Sequence, residues 1–136
     1  MDCAAFFAAA EETLESAEDP KETTVGGQCV YEFYHPRVVA ALGTDGLATR
    51  FNRSGVVWAP PARRFAAEIR VPDTHDDAVA AALGAAPLPF ERTDHRGVSG
   101  PDGDVVTVLH FTTRQMDVSD DTLAATLSAV AEALAV

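Results

Sequence analysis

Three segments of the chain carry apolar residues every three or four positions, the spacing of an amphipathic helix. Each begins beside a short polar side chain, which can accept hydrogen bonds from the free N–H groups of a first turn. Proline follows the first segment and glycine closes the second, as is common at helix ends. The predicted helices span residues 2–18, 74–84 and 119–135, with N-caps at Asp2, at Asp73 or Thr74, and at Ser119.

Other segments alternate apolar and polar residues, which is typical of strands with one buried face. The predicted strands span residues 28–35, 47–52, 56–59, 63–71, 88–95 and 104–113. Turn-forming residues join the second strand to the third and the fifth to the sixth, so two hairpins are expected. Residues 19–27 are predicted to form a loop. Residues 37–43 fit either a short helix that ends at Gly43 or an edge strand.

These elements predict a single α+β domain over residues 1–136. We expect a mainly antiparallel sheet of 5–6 strands with helices packed on one face, in the order α-β(3-4)-α-β(2)-α. Val30, Val106 and Val108 fall on the side of the sheet opposite the phenylalanine-rich face. With helices on one side only, these valines would need a partner, so we predict a homodimer.

Length and composition agree with one cytoplasmic domain. The chain has 136 residues, 47% of them hydrophobic, which is enough for its own core. It has no run of 18 apolar residues and no basic stretch before its N-terminal apolar residues, so we predict neither a membrane span nor a signal peptide. In a reducing cytoplasm, Cys3 and Cys29 are expected to be small core residues rather than a disulfide.

Acidic residues dominate the charge of the chain. The formal net charge is −11, and Lys21 is the single lysine. Such a surface repels nucleic-acid phosphates and anionic lipids, so neither nucleic acid nor a membrane is an expected partner. It is typical of salt-accumulating halophilic archaea, although proteins of high-GC bacteria share the richness in Ala, Arg and Asp. Positive charge is concentrated in residues 37–70, where six arginines and two acids leave a sum of +4.

Arg50, Arg64 and Arg70 are the predicted binding residues of this basic segment. Alternate residues on adjacent strands share a face, and guanidinium groups bind carboxylates with two parallel hydrogen bonds, so an acidic partner segment is expected. The alternative is pairing within the chain, which the excess of acids favours. Trp58 and Tyr34 are the candidate aromatic binding residues if they are exposed, with burial in the core as the alternative.

No cofactor, metal site or catalytic residue is predicted. Asp73, His75, Asp76 and Asp77 could bind a divalent cation, but they fall at a helix start, where acids satisfy free N–H groups. Asp94, His35, His95 and His110 offer acid–base groups. The sequence lacks a nucleophile elbow, a zinc-protease motif and a phosphate-binding loop, so we predict that the protein is not an enzyme.

The order of elements resembles the secretion-chaperone-like fold, which type III secretion chaperones share with small bacterial sensory-transduction regulators. The likeness covers residues 2–135 and is most detailed over 63–134, where a strand ending in Val-Pro precedes a capped helix, a hairpin and a helix capped by Ser-Asp-Asp. It implies a dimer or peptide binder without enzymatic activity. We therefore predict a non-enzymatic protein-interaction or chaperone-like module. The alternative is a small-molecule-binding regulatory domain, whose arginine binds an anion in a pocket between sheet and helices.

Overall fold

The structure is a computed structural model that describes residues 2–40, 55–59, 64–72, 75–99 and 105–136. Within these ranges, the structure describes only the backbone of residues 25, 55–59, 64, 94–99 and 105–106. The predicted strand at 47–52, the turn at 100–103 and the candidate caps Asp73 and Thr74 lie outside the described residues.

The described residues form four helical segments. They are α1 (Cys3–Thr13), α2 (36–40), α3 (Asp76–Leu83) and α4 (Asp120–Ala135). Two predicted N-caps are confirmed. The Asp2 carboxylate accepts a hydrogen bond from the Ala5 N–H at 2.8 Å, and the Ser119 hydroxyl accepts one from the Thr122 N–H at 3.2 Å. Residues 36–40 are helical, so the described part of the segment 37–43, which fitted either a helix or a strand, is a helix.

The predicted loop at 19–27 is instead half of a hairpin, so that prediction is wrong. Strand β1 (Glu18–Val25) pairs antiparallel with β2 (Gln28–Tyr34). Gly26 and Gly27 join them with φ values of 57° and 81°. A two-residue hairpin turn of the type that matches strand twist requires positive φ at both positions, which glycine adopts without strain. Helix α1 consequently ends at Thr13 rather than at residue 18.

The remaining strands are β3 (Gly55–Ala59), β4 (Arg64–Pro72), β5 (Glu91–Ser99), β6 (Val105–Thr112) and β7 (Met116–Asp117). Six strands form an antiparallel sheet in the order β1-β2-β3-β4-β6-β5, and the short β7 pairs with β4. The α+β class and the antiparallel sheet are therefore confirmed. The element order differs from the prediction, because β1 precedes the first predicted strand and α2 separates β2 from β3.

Helices α1, α3 and α4 pack on one face of the sheet and enclose the core. Alternation in β4 directs Phe65, Ala67 and Ile69 to this face, and each is at most 1% exposed. Alternate residues of β2 and β6 do the same, and the apolar stripe predicted for α4 covers them. No helix in the described ranges is long and apolar enough to cross a lipid bilayer.

Cys3 and Cys29 form a disulfide, with their Cα atoms 5.4 Å apart, so the expectation of two unpaired thiols is wrong. The bond joins the first turn of α1 to β2. The two cysteines are 26 residues apart in sequence, and the packing of α1 across β2 brings them together. Disulfides persist in oxidising compartments and are rare in reducing cytoplasm, so this bond does not favour the predicted cytoplasmic location.

Candidate functional site

The face of the sheet that lies away from α1, α3 and α4 carries charged side chains in neighbouring positions. The register of β3 with β2 and β4 places Glu32 and Glu68 on one line across the sheet, and Thr112 of β6 is directly opposite Glu68. Two pairs further along the same strands, and so on the same face, Arg70 is directly opposite His110. Residues in register share a face, so β4 and β6 bring a carboxylate, a guanidinium and an imidazole together.

The Glu68 carboxylate is the centre of this cluster. The distance from His110 Nε2 to Glu68 Oε2 is 3.0 Å, and that from Arg70 Nη2 to Glu68 Oε1 is 3.9 Å. The three side chains are only 13–20% exposed. Burial lowers the pKa of the Arg70 guanidinium, and the Glu68 carboxylate opposes that shift. A carboxylate held from two sides in a half-buried setting has a restricted orientation, as a binding group requires.

A β-bulge lies beside Glu68. From the Glu68–Thr112 pair to the Phe65–Met116 pair, β4 advances three residues while its partner advances four. The extra residue interrupts the ladder, a feature that is frequent next to binding sites. The Thr113 hydroxyl accepts a hydrogen bond from the Ala67 N–H at 2.9 Å, and the Thr113 N–H donates to the Ala67 carbonyl at 2.9 Å. The bulge is therefore anchored to β4.

A cleft of about 410 Å³ opens at the bulge. It is lined by Gln28, Ala66, Ala67, Glu68, Thr112, Thr113 and Gln115. Two primary amides and two hydroxyl groups provide both hydrogen-bond donors and acceptors, and the carboxylate provides acceptors alone. Glu68 is the single titratable side chain among these lining residues. The cleft can therefore bind a ligand that carries several polar groups, of which at least one is a donor.

The predicted binding residues have different outcomes in the structure. Arg70 belongs to the Glu68 cluster. Tyr34 is only 4% exposed, so it is a buried residue rather than an exposed binding residue. The backbone of Trp58 pairs with Val30 and with Ala66, and that of Arg64 pairs with Asp117. Arg50 lies outside the described residues.

Val30 and Val108 do not need a partner molecule, which corrects the reason given for a homodimer. Both lie on the face away from α1, α3 and α4, as predicted, but both are already buried within one chain. Between them lie the half-buried Glu68, Arg70 and His110. The second face therefore carries a charged cluster among buried apolar residues, where the sequence suggested an apolar surface.

Four of the described arginines make contacts within the chain, which is the alternative that the charge excess favoured. Arg70 pairs with Glu68 and Arg92 with Asp76 at 2.7 Å. Arg114 lies 3.6 Å from Glu91. The Arg37 side chain donates a hydrogen bond to the Val136 carbonyl oxygen, and its Nη1 lies 3.0 Å from His75 Nε2. These contacts leave the expected basic surface without support in the described part of the chain.

The cation site considered at the start of α3 is replaced by other contacts. His75 lies beside Arg37, and Asp76 binds Arg92. Among the described residues no group of three or more His, Cys, Asp or Glu side chains could hold a metal ion. Asp76 and Asp77 occupy the first turn of α3, where the helix dipole favours acids, but the N-cap is His75 and its side chain makes no capping hydrogen bond.

Two of the histidines considered for acid–base chemistry lie in different parts of the molecule. His35 is fully buried under the end of α4, whereas His110 bonds Glu68 on the second face. The backbone of Asp94 pairs with that of Leu109 in β6, and the backbone of His95 pairs with that of Val108. The importance of Glu68, Gln28 and Gln115 was not predicted. Outward alternation in β4 marked Glu68 as exposed, but the sequence contained no signal that a bulge would open beside it.

A second cavity, the α3 pocket, lies on the helix side of the sheet and has a volume of about 350 Å³. Most of its lining is apolar, and its guanidinium comes from Arg92, whose side chain is 46% exposed and paired with Asp76. Its lining residues are Ala80, Leu83, Gly84, Ala86, Leu88, Pro89, Phe90, Arg92 and Phe111.

Comparison of the chain with protein-family models, with curated proteins and with solved structures finds no significant match. The resemblance to the secretion-chaperone-like fold stays a prediction.

Proposed function

We propose that the protein is a non-enzymatic module that binds an extended peptide segment of a partner protein in the cleft beside the bulge. The observation that carries this proposal is the lining of that cleft. The amides of Gln28 and Gln115 and the hydroxyl of Thr112 match the donors and acceptors of a peptide backbone, and they lie next to a restrained carboxylate.

The charge of the site favours a neutral or basic peptide over the acidic partner expected from the arginines. Arg70 is bound to Glu68 rather than directed at a ligand. Arg70 compensates the charge of Glu68, so the cleft itself is close to neutral, whereas the whole chain has a net charge of −11. An acidic segment would be repelled, whereas a lysine or arginine in the peptide would meet an acceptor.

A random peptide library displayed on phage tests the proposal, with Ala66→Leu as the blocking variant. Ala66 lines the cleft, so a larger side chain there is expected to weaken selected peptides at least tenfold in calorimetry. Ala81→Leu, an exposed position on α3 outside the cleft, is the matched control and should bind like the original protein. Selected peptides that bind both variants equally, or a library that yields no binder, would refute the proposal.

Homodimer formation is a separate proposal that the burial of Val30 and Val108 no longer supports. Light scattering across a range of protein and salt concentrations measures it directly. A mass of 14.4 kDa would show a monomer, and a doubled mass would require another explanation than the covering of those valines.

A second candidate function, a small-molecule-binding regulatory domain, is favoured by the α3 pocket. It lies between the sheet and a helix, and its lining combines apolar walls with Arg92. A small ligand with an apolar body and one carboxylate would fill this pocket. Its carboxylate would replace that of Asp76 as the partner of the Arg92 guanidinium.

A thermal-shift screen of small carboxylic acids distinguishes this candidate from peptide binding. A true ligand should raise the melting temperature by mass action. Ala80→Leu, which narrows the pocket, and Arg92→Gln, which removes the cation, should both abolish the shift. Ala81→Leu serves again as control. An unchanged melting temperature throughout the screen would reject the candidate.

A further inference from the structure

The acidic N-terminal part of the molecule contains another cleft, between α1 and β1, which we call the α1 cleft. It has a volume of about 350 Å³ and is lined by Glu11, Pro20, Glu22 and Tyr31. Glu22 of β1 is directly opposite Tyr31 of β2, so the two side chains share the face on which α1 packs. Glu11 reaches the same cleft from α1.

An irregularity in β1 shapes this cleft. The register of β1 with β2 shifts between Glu18 and Lys21, and Asp19 has a φ of 44°. Regular pairing resumes at Lys21, which is opposite Glu32. Because successive residues of a strand point to opposite faces, Lys21 is directed away from the face that carries Glu22. The neighbouring lysine therefore does not neutralise the cleft.

Tyr31 supplies an observation that is independent of the acidic residues. Its side chain is 98% buried, since the residue is only 2% exposed, yet it forms part of the cleft wall. Burial raises the pKa of the phenol, and the charges of Glu11 and Glu22 raise it further. Within the described part of the chain, the Tyr31 hydroxyl has no hydrogen bond to either carboxylate or to another group. The ring is buried, whereas the hydroxyl opens to the cleft, so its oxygen can accept a hydrogen bond from a ligand there.

We infer that the α1 cleft binds a primary alkylammonium group. Such a group has three N–H donors and no acceptor. The two carboxylates and the phenol oxygen are acceptors, and three different elements, α1, β1 and β2, bring them to the cleft. The positive charge is attracted by both carboxylates, and the Pro20 ring offers an apolar surface to the alkyl chain. A free polyamine and a lysine side chain present the same chemistry.

Calorimetry at constant ionic strength tests the inference with two probes, spermidine and a lysine blocked at both its amino and carboxyl ends. Binding of both would assign the site to alkylammonium groups in general, and binding of one would identify its source. The blocked lysine acetylated on Nε, which has no charge, should not bind. Its trimethylated form keeps the charge but loses the N–H donors, so it should bind at least threefold more weakly.

Matched variants separate this cleft from the general attraction of an acidic surface for cations. Glu11→Gln and Glu22→Gln should each weaken binding at least fivefold, and Tyr31→Phe, which removes only the hydroxyl, at least twofold. Glu12→Gln and Glu15→Gln change the net charge equally at exposed positions outside the cleft, and should have less than a twofold effect.

Two results would overturn the inference. Equal weakening by all four glutamate variants would show a diffuse counter-ion effect. Displacement of the probes by millimolar Ca²⁺, dependent on Glu11 and Glu22 but absent with Mg²⁺ at equal ionic strength, would assign the cleft to a metal ion instead. Failure here leaves the peptide cleft at the bulge untouched, because the two clefts share no lining residue.

Discussion

A single buried imidazole links the beginning of α2 to the end of α4. His35 Nε2–H donates to the Ala133 carbonyl at 3.0 Å, while Nδ1 accepts from the Arg37 N–H at 3.1 Å. Because one partner only accepts and the other only donates, the neutral tautomer with hydrogen on Nε2 is required. Burial lowers the pKa of His35 from its ordinary value of 6.5 to about 4; Arg37 and His75 add to this, and the Ala133 carbonyl opposes it.

Acid should therefore destabilise the fold through His35. Between pH 6.5 and pH 4 the unfolded chain binds a proton that the folded chain excludes, so stability is complete above this window and falls as pH decreases through it. The contribution lost is up to about 3 kcal/mol. Urea denaturation at a series of pH values measures the slope in the original protein and in His35→Gln.

The variant His35→Gln should be less stable by about 1–3 kcal/mol at pH 7, since a buried hydrogen-bond pair is disturbed, and should have a flatter slope between pH 6.5 and pH 4. His75 is the last and smallest cause of the shift, so His75→Gln offers a comparison and should change the slope much less than His35→Gln does. Carboxylates titrate in all three proteins, so the comparison isolates His35. Equal slopes in the original protein and His35→Gln would contradict this assignment.

Helix α1 is held to the sheet by apolar packing and by one covalent bond. Phe6, Ala10 and Leu14 are buried against the core, and Cys3 is bonded to Cys29 of β2. Loss of the disulfide frees a segment of 26 residues in the unfolded chain, and chain-entropy arguments give about 3 kcal/mol for a loop of this length. The α1 cleft depends on this attachment, because Glu11 approaches Tyr31 from α1.

Reduction is therefore expected to lower the free energy of unfolding by about 3 kcal/mol, as urea denaturation with and without a thiol reductant would show. Cys3→Ala combined with Cys29→Ala should have the lower stability in both conditions. Thiol titration of the denatured protein provides the second check, with no reactive thiol before reduction and two afterwards. Two thiols in the unreduced protein would show that the bond does not form.

The charge of the whole protein is unevenly placed, and the structure shows where it is concentrated. Six exposed acids follow one another along α1, the turn after it and β1; they are Glu11, Glu12, Glu15, Glu18, Asp19 and Glu22. Like charges at such spacing repel, and the repulsion is part of what folding must overcome.

Salt should stabilise the fold. The screening length falls from about 30 Å at 0.01 M salt to about 3 Å at 1 M, so repulsion among these acids is almost removed at the higher concentration. We expect the urea midpoint to rise steadily over that range. Glu12→Gln combined with Glu15→Gln should raise the low-salt midpoint and reduce its salt dependence. A midpoint that does not change with salt would contradict the expectation of salt-dependent folding.

Local pattern was sufficient for several features of this protein. The caps at Asp2 and Ser119, the inward alternation of Phe65, Ala67 and Ile69 and the α+β class could all be predicted from the sequence. Each depends on residues within a few positions of one another, where helical and strand periodicity and turn chemistry operate. The β1 hairpin was predictable in the same way, because Gly26-Gly27 lies between two extended runs, but the surrounding charges concealed it.

Local sequence pattern could not predict contacts between residues that are far apart in the chain. Outward alternation identified Glu68 and Arg70, but the partner His110 is 42 residues from Glu68 and depends on the register of β4 with β6. The bulge after Thr112 and the Cys3–Cys29 bond likewise follow from how strands and helices meet. Periodicity states which face a side chain takes, whereas register and packing settle what lies beside it; the latter is a property of the folded chain as a whole.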